Sequence, residues 1–125
     1  MGRAEIEAAL DRIMYIHGQF EALSASVVAG WEREYLEMRR ALQEQSTLLA
    51  RTDEDLRLSD EDRRNFREAL GKMRSVTALH QAEWPVVSIV QQDPAYRDSI
   101  AGVAQAFQHF AMVTRGLLAR QPRLR

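Results

Sequence analysis

The chain has 125 residues, of which 46% are hydrophobic and 28% are charged, and its formal net charge is −1. This length fits one domain with its own hydrophobic core, and the apolar content is too high for a disordered chain. The balanced charge provides no excess of cations for nucleic acid phosphates, and the absence of cysteine excludes disulfides, thiolate catalysis and zinc fingers. We therefore expect a single domain over residues 1–120 with a short basic tail at 121–125, and no binding of nucleic acid.

The sequence predicts neither export nor a membrane span. Acidic Glu5, Glu7 and Asp11 stand where a signal peptide needs basic and then apolar residues. The longest uncharged stretch, from Ser99 to Thr114, has 16 residues, and a spanning helix needs about 20 predominantly apolar ones. We expect a cytoplasmic protein without membrane contact.

Apolar residues recur at steps of three and four through residues 4–50, the heptad-like spacing of amphipathic helices and coiled coils. Gly30 is the one residue in the middle of this stretch that favours a break. Two interpretations remain open: one long helix, or two helices joined tightly at Ala29-Gly30.

The clearest break is predicted at residues 51–59. Thr52 and Ser59 are each followed by three acidic residues, the pattern of a helix start with a hydroxyl cap and acids in the first turn. The helix after Ser59 must bend or end at Pro85, and Asp93-Pro94 is a strong start signal for the last helix. The sequence predicts an all-α antiparallel bundle of three or four long helices: a hairpin of residues 1–50 and 60–91 with a C-terminal helix over 94–120.

No pattern predicts catalytic, cofactor-binding or metal-binding residues. His17, His80 and His109 stand on separate helices, and none has the spacing that places two metal ligands on one helix face. The acidic triplets lack the alternating ligands and central Gly of a calcium loop. We therefore expect a protein that is not an enzyme and that needs no cofactor.

The last helix combines Phe107, Phe110 and Leu117 with many small residues in its uncharged run. A helix that is apolar on most of its circumference is buried on several sides. Either it is the central helix of the bundle, or part of it is covered by a partner or a second copy of the chain. We expect Phe107 in the core and the face around Phe110 and Leu117 available to partners. The arginines near its end are interpreted as favourable charges at a helix C-terminus.

Residues 30–42 contain Gly30-Trp31-Glu32, followed by Leu36-Glu37, Arg39-Arg40 and Leu42. This segment resembles the small helical export chaperones of the bacterial flagellum and related type III secretion systems. The resemblance covers about 30 residues and departs from the family pattern in lacking Asp before Trp31. It implies that Trp31 and Arg39 or Arg40 orient the first two helices, and that the last helix engages a partner or the export machinery.

These observations favour a non-enzymatic helical interaction protein, with a bacterial secretion or flagellar export chaperone or adaptor as the most specific version. The expected partner is another protein, a second copy of the chain, or both, through the C-terminal helix. A first alternative is a helical sensor or carrier that holds a small apolar ligand or a metal between its helices. A second is a small phage-encoded inhibitor or a subunit of a protein–nucleic-acid complex.

Overall fold

The structure, a computed structural model, describes residues 2–25, 30–85 and 93–121. Within these ranges the chain forms four long helices and one short one, and no strand. The helices are α1 (Arg3–Ala25), α2 (Trp31–Leu49), α3 (Thr52–Asp55), α4 (Asp60–Glu83) and α5 (Pro94–Arg120). The predicted all-α bundle is confirmed, while the predicted tail beyond residue 121 and the part of the second arm at 86–91 lie outside the described residues.

The described part of residues 4–50 consists of two helices, α1 and α2, and Ala29 of the predicted junction lies outside the described residues. Gly30 precedes α2 with a φ of 83°, in the left-handed region that glycine adopts without a steric penalty. The first arm of the predicted hairpin is therefore the helix pair α1 and α2.

The helix boundaries follow the capping chemistry of the sequence at two of three predicted starts. The Ser59 hydroxyl accepts a hydrogen bond from the Asp62 N–H at 3.1 Å, and the Asp93 carboxylate accepts one from the Ala95 N–H at 2.8 Å. The start signal at Thr52 differs, because Arg51 occupies the N-cap position of α3 without a side-chain capping hydrogen bond, and Thr52 is buried in the first turn. Helix α4 ends at Glu83, just before Pro85, as the missing proline N–H requires.

Helices α4 and α5 pack along their whole length in opposite directions. At one end the Arg120 guanidinium donates to the Asp62 carboxylate at 2.8 Å, and at the other Trp84 meets Tyr96 edge to face, with ring centroids 5.4 Å apart. Helix α1 also runs antiparallel to α5, since Arg115 pairs with Asp11 at 2.7 Å and the Phe107 ring lies 5.3 Å from the ring of His17.

Helix α2 folds back along α1, because the short connection between them cannot reach the far end of a parallel helix. The four long helices thus alternate in direction, as in an up-down-up-down bundle. Extensive packing joins α1 to α2, α1 to α5, and α4 to α5, whereas α2 and α4 approach each other at few points. The bundle is consequently open along one edge, between α2 and α4.

The short helix α3 closes the end of the bundle opposite Gly30. Asp53 is buried, and its carboxylate accepts a hydrogen bond from the Arg67 Nε at 2.7 Å, which fastens α3 to α4. Leu49 and Leu58, on either side of α3, are both in the hydrophobic core. The predicted turn at residues 51–59 is therefore packed against the bundle.

The core consists of the inward stripes of the four long helices, and α5 contributes most to it. Phe66, Phe107 and Phe110 are the largest fully buried side chains, and the Phe66 and Phe110 ring centroids are 5.5 Å apart. Because α5 packs against both α1 and α4, its broad apolar circumference is covered from two sides.

Truncating Phe110 tests this core. Phe110→Ala leaves a cavity beside Phe66 and should lower the free energy of unfolding by about 3–5 kcal/mol. Met112→Ala, two residues away on the same helix, is the control because Met112 is 66% exposed, and it should change stability by less than about 1 kcal/mol. Urea denaturation followed by circular dichroism measures both. Equal stability of the two variants would contradict the central position of α5.

Candidate binding groove

The open edge of the bundle is a groove of about 270 Å³ between α2 and α4. Leu42 and Met73 form its floor and are buried, whereas the rim is half-buried or exposed. Every lining residue comes from these two helices: Arg39, Leu42, Gln43, Ser46 and Thr47 from α2, and Met73, Arg74, Thr77, Ala78 and Gln81 from α4.

The groove is positively charged. Its lining includes two arginines, Arg39 and Arg74, and no carboxylate. Neither arginine forms an ion pair with a carboxylate of the described residues, in contrast to Arg67, Arg115 and Arg120. The other polar lining groups are amides and hydroxyls, which donate or accept hydrogen bonds without changing the charge.

Arg39 is held in place by an aromatic ring. Its guanidinium carbon lies 5.9 Å from the centroid of the Tyr35 ring, within the range of a cation–π interaction. Tyr35 in turn lies 5.3 Å from Phe20 of α1, and Trp31 meets Tyr35 edge to face at 6.1 Å. Trp31, Tyr35 and Phe20 therefore connect the start of α2 to the end of α1.

A cluster of polar side chains lies in the core beneath the Arg39 end of the groove. The His80 Nδ1 and the Ser99 hydroxyl are 2.6 Å apart, and Tyr35 and Tyr96 lie close enough for each to influence the pKa of the other. His17 and His80 face the same small cavity of about 20 Å³, a volume that holds roughly one water molecule. Arg39, Leu42, Thr77 and Gln81 line both this cavity and the groove.

Burial sets the protonation of this polar cluster. It lowers the pKa of His17 to about 4, and the positive charge of a protonated His80 acts in the same direction. Burial and then the charge of Arg39 lower the pKa of His80. Desolvation also raises the pKa of both tyrosines. At neutral pH the two histidines and the two tyrosines are therefore uncharged.

The predicted site residues are divided between the groove and the core. Arg39 lines the groove, Trp31 lies half-buried at the start of α2, and Arg40 is exposed. Phe107, Phe110 and Leu117 are fully buried or nearly so. The structure does not bring these six residues together on one surface.

The expectation that the face around Phe110 and Leu117 is accessible is wrong for the folded chain, since both side chains have no exposed surface. The physical reason is that α5 packs against α1 on one side and α4 on the other, so the uncharged run from Ser99 to Thr114 is explained by burial. Arg120 stands in the last turn of α5, where a cation is favourable, and both Arg115 and Arg120 also pair with carboxylates on other helices.

Sequence reasoning missed the α4 wall of the groove and the convergence of His17 with His80. The sequence does contain a pattern that indicates this wall. Four residues of α4 are spaced by three or four positions and therefore lie on one helix face: Arg74, Thr77, Ala78 and Gln81. This stripe contains no acidic residue, whereas most of the exposed surface of α4 is mixed in charge. The histidines stand on helices far apart in sequence, and only the packing brings them together.

No three His, Asp or Glu side chains of the described residues are grouped as metal ligands. His109 is exposed on the opposite side of α5, beside Lys72 and Met112. None of the described helices is both long enough and apolar enough to cross a membrane.

Lowering the pH should destabilise the fold through His17. Its ordinary pKa of 6.5 applies to the unfolded chain and its folded value is about 4, so the unfolded state binds more protons between these values. The free energy of unfolding is therefore highest above about pH 6.5 and decreases as the pH falls. At about pH 5, protonation of His17 in the unfolded chain should lower it by roughly 2 kcal/mol.

His17→Gln removes this titration, and His109→Gln is the control because His109 is exposed. Urea denaturation is carried out above about pH 6.5 and at about pH 5. Between these conditions the free energy of unfolding should fall less for His17→Gln than for the wild type. His109→Gln should behave as the wild type does. Identical losses in all three proteins would contradict a buried, neutral His17.

No protein-family model, curated protein or solved structure matches the chain.

Proposed function

We propose that the protein is a non-enzymatic helical interaction protein of the cytoplasm, and that it binds a helical segment of another protein in the groove between α2 and α4. The observation that carries this proposal is the groove itself: two adjacent helices of the bundle leave an apolar floor of Leu42 and Met73 between polar rims. An amphipathic helix that lies in a groove places its apolar face on such a floor.

The shape of the groove favours a chain segment over a small molecule. A site for a small ligand encloses most of the ligand surface in a volume of about 300–1,000 Å³. The groove is smaller, at about 270 Å³, and its rim residues Gln43, Thr47, Arg74 and Ala78 are exposed. The cavity beside His17 and His80, at about 20 Å³, has no room for a substrate or an apolar ligand. These two volumes argue against a small-molecule site in the groove or in the cavity beneath it.

A second copy of the chain fits the groove poorly in a symmetric dimer. A twofold axis places the same surface on both sides of the interface. Arg39 and Arg74 would then face the same two arginines of the other copy, and like charges in contact oppose association. We therefore assign the groove to a different protein.

Within this class, an export chaperone or adaptor for flagellar or type III secretion is the specific function we propose, on the resemblance of residues 30–42. That resemblance implies that Trp31 and Arg39 or Arg40 orient the first two helices. The contacts from Trp31 and Arg39 to Tyr35, and from Tyr35 to Phe20 of α1, are compatible with this role.

Filling the groove tests the proposal. A displayed library of random peptides of about 18 residues, long enough for five helical turns, is selected on the full-length protein. The selected peptides are then synthesised and titrated against the wild type and Ala78→Trp. The indole should occupy the groove and weaken binding by about tenfold or more, which corresponds to about 1.4 kcal/mol.

Ala82→Trp is the matched control, because Ala82 is exposed on the same helix but does not line the groove. It should bind the selected peptides as the wild type does. Circular dichroism should show both variants to be folded. A library that yields no binding peptide, or peptides that bind Ala78→Trp as tightly as the wild type, would exclude the groove as the docking surface.

A further inference from the structure

We propose that the groove selects an acidic partner: a helix that presents two carboxylates about two turns apart, one for Arg39 and one for Arg74, with an apolar side chain between them. This inference rests on the proposed docking of a helical segment in the groove and adds the chemistry and spacing of the residues that are recognised.

The charge of the lining identifies the class of partner. Arg39 and Arg74 are two cations in a groove without a carboxylate, and no acid of the described residues pairs with either of them. An unpaired guanidinium offers a planar set of N–H donors that matches a carboxylate with two parallel hydrogen bonds. A basic partner segment would instead meet like charges at both ends of the groove.

The helix directions set the spacing. Because α2 and α4 run antiparallel, Arg39 lies opposite Gln81, and both also border the cavity beside His80. Arg74 lies seven positions before Gln81 on α4, which is about 10 Å along a helix axis. The two arginines therefore stand near opposite ends of the groove and on opposite walls.

The groove floor explains the apolar residue between the two acids. Leu42, which is 7% exposed, lies between the two arginines along the groove, and Met73, which is 5% exposed, lies beside Arg74. A leucine or methionine of the partner placed over Leu42 removes mainly its own apolar surface from water. The amides of Gln43 and Gln81 and the hydroxyls of Ser46, Thr47 and Thr77 surround the floor and tolerate polar neighbours.

The groove suits carboxylates better than phosphates. Protein sites for phosphate commonly use the free N–H groups of a helix N-terminus. The groove lies along the sides of α2 and α4, from residue 39 to 47 and from 73 to 81, where helical hydrogen bonds already use the backbone N–H groups. Two separate monovalent anions also match two separated arginines.

The test uses the peptides selected from the random library on the wild-type protein. Their sequences should share two Asp or Glu residues six to eight positions apart on one helix face, as roughly two helical turns require, with an apolar residue between them. Replacing both acids with Asn or Gln should weaken binding to the wild type by about tenfold to thirtyfold, and added salt should weaken binding of the acidic form.

The double variant Arg39→Gln/Arg74→Gln should bind the acidic peptide about tenfold to thirtyfold more weakly than the wild type does. It should bind the acidic peptide and the amide peptide with almost equal affinity. The control Arg40→Gln/Arg64→Gln removes the same charge from exposed positions of the same two helices outside the groove. It should prefer the acidic peptide over the amide peptide by the same factor as the wild type does. Singly substituted peptides, tested against the single variants Arg39→Gln and Arg74→Gln, assign each acid to its arginine.

The outcomes separate the two proposals. If Ala78→Trp blocks the peptides but Arg39→Gln/Arg74→Gln binds them as the wild type does, the groove is a docking surface and the acidic recognition is wrong. Binding of the peptides with no preference for acids over amides would also overturn it. If Ala78→Trp has no effect, both proposals fail.

Discussion

The packing of α5 between α1 and α4 determines the arrangement of the whole bundle. Phe107 contacts His17 of α1, and Phe110 contacts Phe66 of α4. Two faces of α5 are therefore covered, one by each neighbouring helix. The salt bridges from Arg115 to Asp11 and from Arg120 to Asp62 add contacts on the same two sides. Helix α2, by contrast, is held mainly by α1. Among the described residues, the edge between α2 and α4 lacks packing of comparable extent.

The chemistry of that edge explains why it remains open. Direct packing of α2 on α4 would bring Arg39 and Arg74 out of water without a carboxylate to compensate their charge, and burying an unpaired cation is strongly unfavourable. The amides of Gln43 and Gln81 would also need hydrogen-bond partners, whereas the hydroxyls of Thr47 and Thr77 already donate to backbone carbonyls of their own helices. Leu42 and Met73 are buried by their neighbours, yet the rim above them is polar. A binding partner that supplies carboxylates and an apolar side chain satisfies both requirements.

The sequence predicted those parts of the fold that depend on local chemistry. Ser59, Asp93 and Pro94 mark helix starts because a cap satisfies N–H groups within a few residues. It left open whether Gly30 breaks the first arm, because helical periodicity continues on both sides of it. The accessibility of Phe110 was predicted wrongly. The sequence pattern of an apolar helix face is the same whether a neighbouring helix or another protein covers that face. The groove depends on the relative placement of two helices, and of its residues only Arg39 was among the predicted site residues.

The two arginines of the groove differ in how strongly they are ordered. Arg39 lies over Tyr35, whose ring packs against Phe20 and Trp31. A side chain that is already ordered loses less conformational entropy on binding. His17 and His80 beneath it are neutral at neutral pH, so Arg39 is the cation of this end of the groove. Arg74 is exposed, and no ring contact with it is present among the described residues. The aromatic contact with Tyr35 thus positions one of the two arginines, and the Arg39 end is the more strongly pre-organised part of the surface.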